Sequence, residues 1–118
     1  MTATDLKLVR MKRAVNALID DIKTRTFPVD LIILFGSVLT DRFNEYSDLD
    51  VCFVCEHELN ERQKREMEAY LQDITNDEMN IDTIYCNLEK LQQGRQVFQQ
   101  IRQNGRVLYE NVSADSAG

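Results

Sequence analysis

The spacing of apolar residues along the chain predicts a mixture of helices and short buried strands. Between Asp5 and about Arg25, apolar residues recur every three or four positions, which is typical of one stripe on an amphipathic helix. The stripe consists of Leu8, Met11, Val15, Leu18 and Ile22. Thr4 is the predicted N-cap, because its hydroxyl can accept a hydrogen bond from a free amide at the start of the helix.

Two apolar runs in the first half of the chain predict two buried strands. The first, VDLIILF at 29–35, lies between Pro28 and Gly36, and the second, LDVCFVC, occupies 49–55. The segment between them, 38–47, is mostly polar and is long enough for a single helical turn and a loop.

The middle of the chain predicts a helix followed by a third strand. Asn60 and Gln63 have the spacing of a capping box, and apolar residues then recur at helical intervals, so we predict a helix over about 60–75. MNIDTIYC at 79–86 has the apolar character of a strand, with Asp82 in its middle.

The last part of the chain predicts one or two short helices, broken near Gly94, and a short final strand, RVLYE. Gly105 is the predicted C-cap between them. Residues 112–118 carry too little apolar mass to stay ordered, so we predict a single domain over 1–111 and a disordered tail after it.

Length, composition and charge narrow the class of protein. A chain of 118 residues, 43% apolar and 29% charged, has the composition of a soluble protein with one core, and is too short for an additional substrate domain. No apolar run approaches the ~20 residues that span a membrane, and no secretory signal is recognisable, so we expect a cytoplasmic protein. The net charge of −6 argues against nucleic acid as the main partner, because phosphate binding draws on clustered Lys and Arg.

Cys52 and Cys55 form a CxxC motif, which raises the possibility of a zinc or redox site. Residues three apart on a strand point to opposite faces, and no second Cys pair or His cluster completes a set of four ligands. We therefore interpret both as small buried apolar residues, and we interpret Cys86 and His57 as structural too.

Three aspartates in or beside predicted strands are the candidate metal ligands. Asp48 and Asp50 are separated by one residue at the entrance of the second strand, so their side chains share one face, roughly 6 to 7 Å apart. Like charges this close beside a hydrophobic sheet repel each other unless a cation or a shared proton relieves them. Asp82 is equally out of place inside an apolar strand. The set suits magnesium, which prefers oxygen ligands and acts in pairs in phosphoryl transfer.

Gly36 and Ser37 directly follow the first predicted strand and are the candidate phosphate-binding residues. Glycine lets the backbone approach a phosphate, and the serine hydroxyl and the next amides can donate hydrogen bonds to it. Acidic pairs and Gly-Ser pairs each occur commonly without a function. Their conjunction, in the order strand, Gly-Ser, Asp-x-Asp strand, helix and strand with a central Asp, favours a site for a magnesium nucleotide.

This arrangement resembles the nucleotidyltransferase superfamily that shares its fold with DNA polymerase β, and in particular its minimal single-domain members, the MNT proteins. The resemblance runs from VDLIILFGS through YSDLDVCFV and NIDTIYC to IRQNGRVLYE. It implies an α/β fold of the α+β type, with a small mixed sheet flanked by helices. It also implies that Asp48, Asp50 and Asp82 bind two magnesium ions, and that Asp82 helps to deprotonate the acceptor hydroxyl.

The resemblance further implies a site for ATP. Gly36 and Ser37 would hold the triphosphate, with Thr40 and Arg42 as further nucleotide-binding residues. Family members often have Arg or Lys, then Gly, where this chain has Thr40 and Asp41, and the charge of Asp41 opposes triphosphate binding unless Arg42 turns toward the phosphates. The acceptor hydroxyl would attack the α-phosphorus in line, with pyrophosphate leaving.

The expected partner follows from the same resemblance. Minimal members typically act as antitoxins beside a HEPN-domain RNase toxin, and some inactivate it by transferring AMP to a tyrosine. We therefore expect a HEPN-type toxin as partner in a hetero-oligomer, with a homo-oligomer also open. Phe43, Tyr46 and Tyr109 are candidates for the toxin-facing surface, or alternatively for core or rim residues.

Two alternative functions stay open on the sequence. The first is a binding module that neutralises its partner by occlusion without catalysis, which Thr40 and Asp41 favour. The second is modification of a small molecule such as an aminoglycoside, which would need a second subunit to supply the substrate-binding part.

Overall fold

The computed structural model describes residues 1–25, 28–76 and 79–111 of the chain. Each helix and strand predicted from the apolar pattern is present, with bounds that differ by a few residues. In chain order the elements are α1 (Ala3–Arg25), β1 (Leu31–Phe35), a short 3-10 helix (Gly36–Leu39), β2 (Leu49–Val54), α2 (Glu61–Thr75), β3 (Ile81–Cys86), α3 (Leu88–Gln93), α4 (Val97–Asn104) and β4 (Arg106–Glu110).

The strands of the described residues form one mixed sheet in the order β3-β2-β1-β4. β1 pairs antiparallel with both β2 and β4, whereas β2 and β3 are parallel. A parallel pair needs a long crossover, which α2 provides between these two strands. The predicted fold, a small mixed sheet flanked by helices, is confirmed.

Helices cover both faces of the sheet. One face packs against α1 and α2, where Met11, Leu18, Ile22, Met67 and Leu71 meet the inward side chains of Ile32, Leu34, Val51 and Phe53. The opposite face packs against α3 and α4 through Ile33, Phe35, Cys52, Val54, Leu91 and Ile101. Because side chains alternate along a strand, these two sets interleave in β1 and in β2.

The start of α1 corrects one prediction. The helix begins at Ala3, and the side chain that caps it belongs to Thr2 and not to Thr4. The Asp5 amide donates to Thr2 Oγ1 at 3.1 Å, and the Thr2 amide donates to Asp5 Oδ2 at 3.0 Å. Hydrogen bonding of the carboxylate to the backbone amide and to the side chain of Thr2 lowers the pKa of Asp5. Thr2 and Thr4 both precede the apolar stripe and both carry a hydroxyl. They differ in that only Thr2 is followed three positions later by a carboxylate, that of Asp5.

The remaining helix ends agree with the predictions. Asn60 and Gln63 form the predicted capping box, with Gln63 N donating to Asn60 Oδ1 at 2.8 Å and Asn60 N donating to Gln63 Oε1 at 3.0 Å. Gly94 and Gly105 are the C-caps of α3 and α4. The predicted disordered tail, 112–118, lies outside the described residues. Within the described part of the chain, no helix is long and apolar enough to cross a membrane.

Candidate functional site

Three aspartates meet at the beginning of the parallel strand pair. Asp50 in β2 is the register partner of Asp82 in β3. Partners in adjacent strands point to the same face of a sheet, and Asp48, two residues before Asp50, has the same parity at the entrance of β2. The structure thus brings the three predicted carboxylates to one place, on the face that α3 and α4 cover further along the strands.

The surroundings of Asp50 disfavour the negative charge of its carboxylate. Its side chain is half-buried, whereas Asp82 is exposed. Burial raises the pKa of the Asp50 carboxyl above its ordinary value, and the negative charges of Asp82 and Asp48 raise it further. A proton or a cation at this place would therefore be bound favourably.

The three aspartates fit a hard divalent cation in chemistry and in backbone placement. Carboxylate oxygens are the ligands that magnesium prefers, and the mutual repulsion around Asp50 is the kind that such an ion relieves. In their present conformations, no group of three or more His, Cys, Asp or Glu in the described ranges is gathered tightly enough to enclose an ion. Binding of an ion here would require the carboxylates to turn toward one another on a strand pair that is already in register.

Gly36 places the turn after β1 directly against Asp50. It is the first residue after the strand and has φ +85, a left-handed conformation that favours glycine. A Cβ atom at this position would lie 3.0 Å from Asp50 Cγ and 3.2 Å from Asp50 Cβ, and it would collide with the carboxylate oxygen. Phe35 and Asp50 are register partners, so this contact follows from the β1–β2 pairing. The candidate phosphate-binding turn and the candidate metal ligands therefore adjoin.

The next residues of the turn hold each other in place. The amide and the hydroxyl of Thr40 both donate to the carbonyl oxygen of Ser37, at 2.9 and 2.8 Å. The same hydroxyl accepts a hydrogen bond from the Arg42 amide at 3.1 Å. Thr40 and Arg42 are exposed, and Thr40 uses its hydroxyl to close the turn. Their roles in nucleotide binding stay predictions, as does that of Ser37.

The three candidate partner-facing aromatic residues separate in the structure. Phe43 and Tyr109 are partly buried and pack against the core on the α1 and α2 side. Tyr46 is 85% exposed and lies in the loop between Gly36 and Asp48. Of these three residues, only Tyr46 therefore exposes its aromatic ring to solvent.

Two cavities flank the strand pair at opposite ends. One, of about 390 Å³, adjoins Asp82 and is lined largely by polar side chains, among them Glu68, Gln72, Thr75 and Thr83. The other, of about 530 Å³, lies where β2 and β3 end, and Cys55, Tyr85 and Cys86 line it. The first is formed by α2 and the start of β3, on the α1 and α2 side of the sheet, so it borders Asp82 from the face opposite to the carboxylates. The second is separate from the carboxylate site.

The cysteines are arranged differently from the simple CxxC interpretation. Cys52 and Cys55 are buried on opposite faces of the sheet, as predicted, and all three cysteines are free. However, Cys52 Sγ lies 3.7 Å from Cys86 Sγ. This contact could not be predicted from the spacing in the chain, because it depends on which strands are neighbours.

Comparison with solved structures finds the same fold in toxin–antitoxin complexes. A toxin–antitoxin crystal structure with AMP-PNP superposes with a TM-score of 0.61 and 21% identity, over 87% of this chain and 78% of that chain. A complex of a tri-AMPylated HEPN toxin with MNT antitoxin from Shewanella oneidensis gives 0.55 and 22%, over 88% and 76%. A protein from Sulfolobus solfataricus, described as a nucleotidyltransferase, gives 0.55 and 13%, over 96% and 92%.

Sequence comparison assigns the family. No curated protein sequence matches the chain. A family model described as polymerase beta, nucleotidyltransferase matches residues 16–114, which include the turn at Gly36 and all three aspartates. The chain belongs to the polymerase beta nucleotidyltransferase family, and the resemblance seen in the sequence is confirmed.

Proposed function

We propose that the protein transfers AMP from magnesium-bound ATP to a hydroxyl group on a HEPN-type toxin and so acts as its antitoxin. The observation that carries this proposal is the pairing of Asp50 with Asp82 in adjacent parallel strands, beside Asp48 and against the turn at Gly36. Carboxylates can hold a magnesium ion, and an adjacent glycine turn lets the phosphates of a bound triphosphate approach the backbone.

Each residue of the site has a distinct task in this reaction. Asp48, Asp50 and Asp82 would hold magnesium, which supplies positive charge opposite the triphosphate. The bare backbone of Gly36 lets the phosphates approach, and the Ser37 hydroxyl donates a hydrogen bond to them. Asp82 is exposed, so its carboxylate can accept the proton of the acceptor hydroxyl. That oxygen attacks the α-phosphorus as the bond to pyrophosphate breaks.

The choice of nucleotide and acceptor is supported by the structures that share the fold. One of these complexes contains AMP-PNP, and another contains a HEPN toxin carrying AMP. A toxin partner would also give the exposed ring of Tyr46 a surface to contact. On this proposal the working unit is a hetero-oligomer of antitoxin and toxin.

The test is transfer of label from ATP to the protein encoded beside this one. The purified pair, with ATP labelled at the α-phosphate and magnesium, should label the partner, and the doubly substituted Asp48→Asn, Asp50→Asn variant should lose at least ~100-fold of the rate. Asp73→Asn, on the exposed surface of α2, makes the same chemical change away from the site and should keep the rate. Equal labelling by the doubly substituted variant and the natural protein would refute the assignment.

Neutralisation by occlusion is the second candidate, and Thr40 and Asp41 favour it. Thr40 uses its hydroxyl to close the turn, and Asp41 places an exposed negative charge beside the phosphate-binding position. Toxicity assays in cells that produce both proteins separate the two mechanisms. Transfer predicts that the doubly substituted variant fails to protect, whereas occlusion predicts full protection by a variant that transfers nothing.

A further inference from the structure

Two thiols from neighbouring strands meet in the sheet, and the proposed transfer reaction uses neither of them. Cys52 is the register partner of Ile84, and Cys86 is the register partner of Val54, so the two cysteines are diagonal neighbours on one face. Their Sγ atoms are 3.7 Å apart, which is van der Waals contact between sulfurs. Cys55 points to the other face and packs in the other core.

The two thiols differ in access to solvent. Cys52 has 0% of its surface exposed, so no reagent reaches it directly. Cys86 is only half-buried and lines the cavity of about 530 Å³ at the ends of β2 and β3. A small oxidant can therefore reach Cys86 first, with Cys52 directly behind it.

The contact also prepares the two sulfurs for different roles. The hydrogen bond from the Cys52 thiol lowers the pKa of Cys86, and the same bond together with burial raises the pKa of Cys52. The thiolate is the nucleophilic form of cysteine, so Cys86 is the sulfur that reacts with an oxidant. Burial raises the pKa of Cys55 to about 11, which keeps this third cysteine as an unreactive thiol.

We propose that Cys86 and Cys52 form a reversible disulfide when the protein meets a peroxide. The Cys86 thiolate attacks one oxygen of hydrogen peroxide, the O–O bond breaks, and the released hydroxide takes up a proton to become water. The Cys52 sulfur then attacks the sulfenic sulfur of Cys86, loses its proton, and the S–O bond breaks to release a second water. Two thiols lose two electrons in total, and one peroxide is reduced to two waters.

Bond formation would require a local movement where the two parallel strands end. A disulfide holds its sulfurs about 2.0 Å apart, so the two Sγ atoms must approach each other from 3.7 Å. Side-chain rotation, with a local shift of the backbone where β3 ends at Cys86, would accomplish this. The crosslink joins residues 34 positions apart and should raise the melting temperature of the oxidised protein.

Thiol counting after peroxide treatment tests the proposal without any need for activity. The fully reduced protein is treated with hydrogen peroxide, quenched with catalase, unfolded, and alkylated with N-ethylmaleimide before mass spectrometry. We expect one alkylated cysteine per chain in place of the three of the reduced protein, and three again after treatment with dithiothreitol. A sample that is not alkylated should be about 2 Da lighter after peroxide than before it. Three reactive thiols after peroxide, a disulfide between two chains, or sulfinic acid on Cys86 with Cys52 still free would each overturn it.

Substitutions identify which sulfur is the partner of Cys86. Trypsin leaves Cys52 and Cys55 in one peptide, 43–62, so linkage of this peptide to 66–90 in the natural protein does not distinguish them. Cys55→Ser should keep the linked peptides, and Cys86→Ser and Cys52→Ala should lose them. Linkage that persists in Cys52→Ala contradicts the proposal. Loss of linkage in Cys55→Ser also contradicts it, and this second variant gives an answer even if Cys52→Ala fails to fold.

Discussion

Asp50 illustrates how a single residue can be kept at a cost to stability. Its carboxylate is half-buried, faces two other negative charges, and presses against a glycine that no other residue could replace without moving it. Burial and the two neighbouring negative charges make the charged form less favourable in the folded protein than in the unfolded chain. An apolar or amide side chain would suit the fold better, which agrees with the proposal that this carboxylate binds a cation.

Replacement of Asp50 by Asn should therefore stabilise the isolated protein at neutral pH. A carboxyl with a raised pKa binds protons more tightly in the folded state, so folding stability falls as the pH rises through that folded pKa, and the penalty is complete above it. We expect Asp50→Asn to gain up to about 1 kcal/mol at pH 7, because water screens much of the charge, and to gain nothing below about pH 4. Urea denaturation in magnesium-free buffer across this pH range measures the difference.

The matched control for this measurement is Asp73→Asn, which removes the same charge from the exposed surface of α2. A gain of the same size in both variants would mean that net charge, and not the surroundings of Asp50, sets the effect.

At the scale of the elements, local chemistry defines the ends of α2. The Asn60 side chain accepts a hydrogen bond from the Gln63 amide, and the Gln63 side chain reaches back to the Asn60 amide. Neither bond depends on the rest of the fold, which is why the spacing of two residues was enough to predict them. The position of α2 between β2 and β3, in contrast, concerns the whole sheet, because the helix supplies the long crossover that a parallel strand pair needs.

Asn60→Ala should destabilise the protein by about 1 kcal/mol, because it removes the cap and leaves a helix amide unpaired. A domain of this size should then melt about 4 °C lower in a calorimeter or by circular dichroism. Arg62→Ala is the control: it breaks a 3.1 Å ion pair with Glu66 one turn further on, where both side chains are largely exposed. That loss should cost no more than about 0.5 kcal/mol, and an equal effect of both changes would argue against the capping box.

The helices and strands, and the candidate carboxylates that they carry, could be identified from the sequence, but the neighbours across the sheet could not. Asp48 and Asp50 are separated by one residue, so strand geometry alone predicts that their side chains point to the same face of the sheet. The approach of Gly36 to Asp50, and of Cys52 to Cys86, depends on strand order and register, which apolar periodicity does not encode. The N-cap of α1 could not be predicted because both Thr2 and Thr4 fit the sequence pattern of a cap. The hydrogen bond from the Asp5 amide to the Thr2 hydroxyl shows which of them is the cap.

At the scale of the whole molecule, the site links segments that are far apart in the chain and close in the sheet. Asp50 and Asp82 come from strands separated by the whole of α2. A cation held by both would join the two strands and would bind only the folded protein. Ligands with that property stabilise the folded state by mass action.

Magnesium should thus raise the melting temperature of the natural protein. At ten times its dissociation constant the ion contributes about 1.4 kcal/mol, or several degrees. The shift should disappear in Asp48→Asn, Asp50→Asn and persist in Asp73→Asn, with potassium chloride added to equal ionic strength. A shift of the same size in the doubly substituted variant would place the ion elsewhere on the protein.

The position of β3 as the last strand on its side of the sheet has a consequence for what the protein can accept as a substrate. Nothing in the described residues hydrogen-bonds to the outer side of that strand as a further strand, so Asp82 stands on a flank that is open sideways as well as from above. A macromolecular acceptor could bring a reactive group to this flank without any rearrangement of the protein described here. On the proposed function, selectivity for the acceptor would then depend on contacts that the surface of the toxin makes along this open flank.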